Sequence, residues 1–288
     1  MPTGEKKAKI IDLDAAFDQR VGEYFAARKN KYTEEEWEDL VPELYKQFGN
    51  TKIESLGATP NEYYSRMSNE ELFDCVAARF EKGIGIDGFL RSALEEEKNR
   101  PVLLSLLEEG NEQAALAVEI LGADRALYSL YLPLLTQERS QELQSKVAAI
   151  LEEDADFACD DLLELYNQGL ACDCVADIVS HCLVPRDEVF FLLLDEFLKS
   201  EESQAVGVAA MRLARYGDER ALPYIKERAA RAETSYLAFR TLRLAAEALG
   251  GGVAERDFSS DEEYLTLSRA EERQQAEREE VYAQQRKS

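Results

Sequence analysis

Histidine and tryptophan each occur once in this chain of 288 residues, and no apolar run is long enough to cross a bilayer as a helix. Such a crossing needs about 20 continuous apolar residues, so no membrane partner is expected. Glycine (15) and proline (7) are too sparse for the many turns of an all-β protein. Basic charge is also short: 34 Lys and Arg stand against 58 Asp and Glu, a net charge of −24. Phosphate recognition needs clustered Lys and Arg, so no nucleic-acid partner is expected. An acidic surface favours solubility and suits a basic protein partner. Lys6, Lys7 and Lys9 near the start are followed by no apolar stretch, which argues against a signal peptide. The five cysteines (Cys75, Cys159, Cys172, Cys174 and Cys182) are odd in number and fall in helix-like segments. That usage points to reduced thiols in a cytoplasmic protein.

What remains is dominated by Ala, Leu, Glu and Arg, all strong helix formers. The expected fold class is all-α. In a first region, 1–98, Phe17, Val21, Tyr24 and Phe25 share one helical face. Thr33 to Glu36, Thr59 to Glu62 and Ser68 to Glu71 each have the form of a capping box, in which hydroxyl and carboxylate serve the unbonded amides of a helix start. Gly49-Asn50 and Gly83 are the matching stops.

From about Asn99 a period appears. Leu121-Gly122-Ala123-Asp124-Arg125-Ala126-Leu127 is similar to Tyr216-Gly217-Asp218-Glu219-Arg220-Ala221-Leu222, 95 residues later. Leu151 to Phe157, Cys182 to Val189 and Leu249-Gly250 fall near intervening or following steps of about 32 residues. A glycine ends one helix and an aspartate caps the next. Runs of small residues, such as Ala114, Ala115 and Ala117, or Val208, Ala209 and Ala210, would let neighbouring helices approach closely. The run Val189 to Leu194 is apolar almost all round, which predicts a fully buried helix.

The Leu-Gly-x-Asp-x-Arg-Ala-Leu type of junction resembles the HEAT-like repeats named after phycobilisome lyases, over roughly Asn99 to Gly252. The resemblance implies an α-solenoid of stacked helical hairpins, usually with a binding role. The expected organisation is an N-terminal helical region (1–98), a HEAT-like array (99–252), and a polar C-terminal segment (253–288) that forms either one helix docked at its base or a partly disordered tail. Leu56-Gly57-Ala58-Thr59-Pro60-Asn61-Glu62-Tyr63-Tyr64 resembles a short segment of uncharacterised bacterial proteins with such repeats, and it implies no activity.

Candidate chemistry is thin. Gly83-Ile84-Gly85-Ile86-Asp87-Gly88 spells the dinucleotide fingerprint, but that motif works only after a strand. A helix precedes it here, so a helix stop and loop are expected and no cofactor. Cys172, Cys174, His181 and Cys182 are zinc-type ligands at unsuitable spacing. On a continuous helix Cys172 and Cys174 point about 200° apart and share a metal only if the helix breaks. Ser180, His181 and Cys182, as neighbours, face different ways and form no nucleophile–base pair. No catalytic or metal site is therefore expected.

Charge is unevenly placed. Residues 151–202 carry fifteen acidic groups against Arg186 and Lys199, whereas residues 211–243 carry eight Arg and Lys against four acids. Either the two stretches face different partners, or the basic hairpins neutralise acidic neighbours. The leading expectation is a non-catalytic protein-binding scaffold. The alternative is a lyase or chaperone-like carrier of a small molecule, by analogy with the namesake of the repeat. A HEAT-like DNA glycosylase would need a positive groove that this composition does not suggest.

Overall fold

A computed structural model describes residues 11–28, 31–136 and 138–285, and every extended regular element among them is a helix. Lys6, Lys7 and Lys9 lie outside the described residues. The chain divides into two compact units, Met1–Val147 and Ala148–Ser288.

The first unit opens with α1 (Leu13–Ala27), α2 (Glu34–Gly49), α3 (Pro60–Ser65), α4 (Asn69–Glu81) and α5 (Gly88–Leu94). All three capping boxes close. The hydroxyls of Thr33, Thr59 and Ser68 accept from the amide three residues on, and Glu36, Glu62 and Glu71 accept from the amides of the capping residues. Each box satisfies two of the four amides a helix start leaves unbonded. Aromatic packing joins α1 to α2: Phe17 contacts Tyr45 and Phe48, and Trp37 contacts Tyr24 and Phe25. Next come α6 (Arg100–Glu109) and α7 (Glu112–Leu121), a hairpin turning at Gly110 with φ of 62°. Both pack against α4, so the pattern change at Asn99 lies inside this unit. A short α8 (Tyr128–Tyr131) and α9 (Gln141–Glu152) follow.

The Gly83-to-Gly88 stretch is a helix stop and a loop. Gly83 takes φ of 63° after α4, and Asp87 caps α5 by accepting from the Leu90 amide at 2.8 Å. Behind it lies a buried polar cluster. Arg79, Asp87 and Tyr64 are essentially without exposed surface. Arg79 donates to Asp87 and to the Ile11 carbonyl through Nη2, and to the Gly85 carbonyl through Nη1, each at 2.5 Å. Tyr64 Oη donates to the same Asp87 oxygen at 2.8 Å. Burial, then the Asp87 charge, pushes the Tyr64 pKa up, so its hydroxyl stays protonated. Burial works against the Arg79 charge, but Tyr64 and Asp87 outweigh it and its pKa is raised.

The second unit comprises α10 (Ala155–Asn167), α11 (Cys174–Val179), α12 (Asp187–Lys199), α13 (Ser203–Tyr216), α14 (Leu222–Ala230), α15 (Tyr236–Ala248) and α16 (Glu262–Gln285). α10 pairs with α11, α12 with α13, and α14 with α15, while α13 also packs extensively along α15. α12 starts 32 residues after α10, and α15 starts 33 after α13. Close approach of α13 and α15 occurs at Gly207, where a Cβ would stand 3.3 Å from the Thr241 side chain.

The two best-matched junctions share a local geometry. Gly217 (φ 80°) ends α13 and Asp218 accepts from the Arg220 amide at 2.9 Å. Gly122 (φ 62°) ends α7 and Asp124 accepts from the Ala126 amide at 3.0 Å. At the two middle junctions, Asp154 and Arg186 make no side-chain cap. The run Val189 to Leu194 departs from the expected all-round burial. Val189, Phe190, Leu192, Leu193 and Leu194 are buried, but Phe191 is 57% exposed, as is much of Leu198. α12 therefore presents one apolar flank outward. In the C-terminal segment Glu262–Gln285 forms α16, and near its start Tyr264 meets Tyr236 edge-on at 4.9 Å.

Candidate functional site

Arginines of one hairpin reach carboxylates of the hairpin before it and, at Glu196, of their own. On α13, Arg215 donates to Asp177 of α11 at 2.7 Å, and Arg212 lies 3.5 Å from Asp177 and 3.3 Å from Glu196 of α12. Arg220, just before α14, donates to Asp187 at the start of α12 at 2.8 Å. Arg186, just before α12, is paired with Asp160 of α10. Three of the eight basic residues of 211–243, Arg212, Arg215 and Arg220, thus pair with carboxylates of residues 151–202, while Arg231 and Arg243 pair within or just beyond their own stretch.

Beside these ion pairs α13 and α15 expose an apolar row. Val208 (44% exposed), Met211 (39%) and Leu237 (43%) line a hollow of about 640 Å³, together with Arg215 and Thr241. A second hollow, of about 510 Å³, adjoins it through Gln204, Val208 and Arg212, and is bordered by Tyr166, Asp173 and Glu196. Together they make a groove whose floor is apolar and whose rim is charged. In the first unit, a smaller hollow of about 330 Å³ lies between α1 and α2, where the Arg28 guanidinium stacks 3.7 Å over the Tyr24 ring.

The candidate ligand residues do not converge. His181 Nε2 stands 3.8 Å from Glu152. Cys182 is buried against Cys159, and the hydrogen bond between these thiols, with burial, pushes the Cys182 pKa up. Ser180 is fully buried, its hydroxyl donating to the Asp177 carbonyl at 2.6 Å. Cys172 and Cys174 do not lie on one continuous helix. α10 ends at Asn167, Gly169 takes φ of 71°, and α11 begins only at Cys174. The break brings the two sulfurs together as a disulfide. Among the described residues no three His, Cys, Asp or Glu side chains form a group able to hold a metal ion. Neither hollow of the groove has Cys172, Cys174 or His181 in its lining.

No protein family, curated protein or solved structure matches the chain. The groove therefore stands on its own geometry. In the sequence Val208 stands among the small residues that let helices approach, whereas that approach is made by the adjacent Gly207. The signal that was there is the excess width of the apolar face of α13, which carries Val208 and Met211 beside buried Val206, Ala209, Ala210 and Leu213.

The rim responds to acid in a defined direction. Burial raises the Asp177 pKa, but the Arg215 hydrogen bond and the charges of Arg212 and Arg215 together outweigh it, leaving it below its ordinary value of 3.8. A carboxylate depressed on folding stabilises the native state above its unfolded pKa, and that contribution fades as pH falls through the folded one. Asp177→Asn is expected to be less stable than the parent by a constant margin above about pH 5, the margin closing only below pH 3.8. Urea midpoints of both proteins across that range check this; a margin that does not change with pH would show that the ion pairs contribute nothing.

Proposed function

We propose that the protein is a non-catalytic interaction scaffold, a HEAT-like α-solenoid whose groove along α13 and α15 receives an amphipathic helix of a partner protein. The carrying observation is the row Val208, Met211 and Leu237, continued by half-exposed Leu244, left open on two helices that pack side by side. Apolar rows of this kind on a rigid surface accept the apolar stripe of a helix at positions i, i+3, i+4 and i+7. Support for the stacked-repeat reading comes from the 32- and 33-residue spacing of equivalent helices and from the recurring arginine-to-carboxylate step between successive hairpins. The partner helix is basic at the end that lies over α10–α12. Fifteen acidic residues fall between positions 151 and 202, and Asp173, Glu196 and Glu202 border that end of the groove.

The test uses the full chain and a fluorescent helical peptide with that apolar spacing and Lys at one end. Met211→Glu and Leu237→Glu are expected to weaken binding on the order of 10-fold or more each, with unchanged helix content. Phe191→Ser, on the outer flank of α12, is expected to leave it unchanged. Equal binding by the parent and both groove variants would remove the groove from the proposal. Equal binding by peptides with and without the basic end would remove the stated polarity.

A further inference from the structure

Four of the five cysteines lie between α10 and the end of the α10–α11 hairpin, yet they are in two different states. Cys159 and Cys182 are buried thiols, as is Cys75 in the first unit. Cys172 and Cys174 are joined. A structural bridge acts mainly by restricting the unfolded chain, and its effect grows with the length of loop it closes. This one links residues only two apart in sequence, so it restricts almost nothing. The helices around it are held instead by ion pairs and apolar packing: Arg212 and Arg215 fix α11 to α13 through Asp177, and Val175, Ala176, Ile178 and Val179 of α11 are buried. A bond that contributes so little to the fold, placed where the loop after α10 enters α11, is available for chemistry.

Its surroundings favour access from one side. Cys172 is buried, with 8% of its surface exposed, whereas Cys174 is half-buried. Asp173, between them, is exposed and borders the 510 Å³ hollow, and its carbonyl accepts from Arg212 at 3.2 Å. That hydrogen bond holds the backbone of the C-x-C segment while its sulfurs change partners.

We propose that Cys172 and Cys174 form a thiol–disulfide exchange site for a thiol-bearing reductant that approaches from the side of half-buried Cys174. The reductant's thiolate attacks Cys174 Sγ, forming a mixed disulfide there, and the Cys172–Cys174 bond breaks with Cys172 leaving as a thiolate that takes up a proton. A second thiol of the reductant then attacks the mixed disulfide at the reductant's own sulfur, releasing Cys174 as a thiolate that is protonated in turn. Two electrons pass to the protein and the reductant leaves as a disulfide; the reverse sequence oxidises the pair. A tripeptide thiol and the dithiol of a small protein supply the same chemistry.

The full-length protein is equilibrated in glutathione buffers of graded reduced-to-oxidised ratio, trapped with an alkylating reagent, and mapped by peptide mass. A parallel series uses a small dithiol oxidoreductase. Under native conditions the three buried thiols are protected, so labelled cysteines are expected to rise from none to two in either series, Cys172 and Cys174 together, with midpoints of thermal unfolding moved by no more than about 3 °C. Cys172→Ser is expected to trap glutathione on Cys174. Exchange with only one reductant identifies the source and upholds the site. The proposal is overturned if Cys172 and Cys174 remain thiols at every ratio, if their bridge opens only when the protein unfolds, or if the bridge that the reductant opens proves to join Cys159 and Cys182 instead.

Discussion

Replacing Asp87 by Ala is expected to lower the stability of the first unit by about 3–5 kcal/mol, the cost of leaving a buried charge unpaired. Three roles end at that one side chain. It is the only carboxylate bonded to Arg79 among the described contacts, it accepts from Tyr64 Oη, and it caps α5 through the Leu90 amide. The cap alone is worth about 1 kcal/mol, so most of the loss comes from Arg79, whose Nε has no partner among the described residues. Asp87→Asn keeps an acceptor for the cap but not the charge, and its loss should fall between those of the parent and the Ala variant. Arg79→Met combined with Asp87→Asn removes both charges. It should recover part of what Asp87→Ala loses, because two apolar or neutral groups are cheaper to bury than one orphaned ion. Trp37 lies in α2 and is the chain's one tryptophan, so its fluorescence in urea reports on this unit. An Asp87→Ala variant within about 1 kcal/mol of the parent would mean that water reaches Arg79 and that the cluster is not closed.

This cluster marks a limit of what could be read along the chain. The capping boxes at Thr33, Thr59 and Ser68 were legible because each is complete within four residues. The Gly217–Asp218 and Gly122–Asp124 junctions were legible for the same reason. Gly83 to Gly88 could be recognised as a stop and a loop, since a preceding helix rules out the phosphate-binding turn. That Arg79 folds under this loop could not, because one arginine among 34 basic residues carries no local mark of burial. At Cys172 and Cys174 the sequence leaves open whether the helix continues, and the fold breaks it. Asn167-Gln168-Gly169 was the available sign that α10 stops there, and with that stop the two sulfurs need not diverge. The groove required knowing which helices adjoin. Val208 and Leu237 are 29 residues apart and form one surface only because Gly207 lets α13 and α15 come together.

Two phenylalanines of α12 provide the sharpest contrast between pattern and packing. Phe197→Ala is expected to destabilise the second unit by about 3–5 kcal/mol, since 1% of Phe197 is exposed and its removal leaves a ring-sized void. Phe191→Ala is expected to cost no more than about 0.5 kcal/mol, the usual range for a surface position. In the sequence the two are equivalent, both part of an apolar helix with no obvious polar side. In the fold they differ because α12 packs on α11 and α13 with one face. Phe190 turns to meet Arg220, whose guanidinium stands 4.2 Å over the ring, and Phe191 is left at its edge. Far-UV circular dichroism in urea follows both variants. Similar large losses for the two would mean that α12 is buried all round as its composition suggests, and that something covers Phe191. A large loss for Phe197 alone fixes Phe191 on the outward flank of α12.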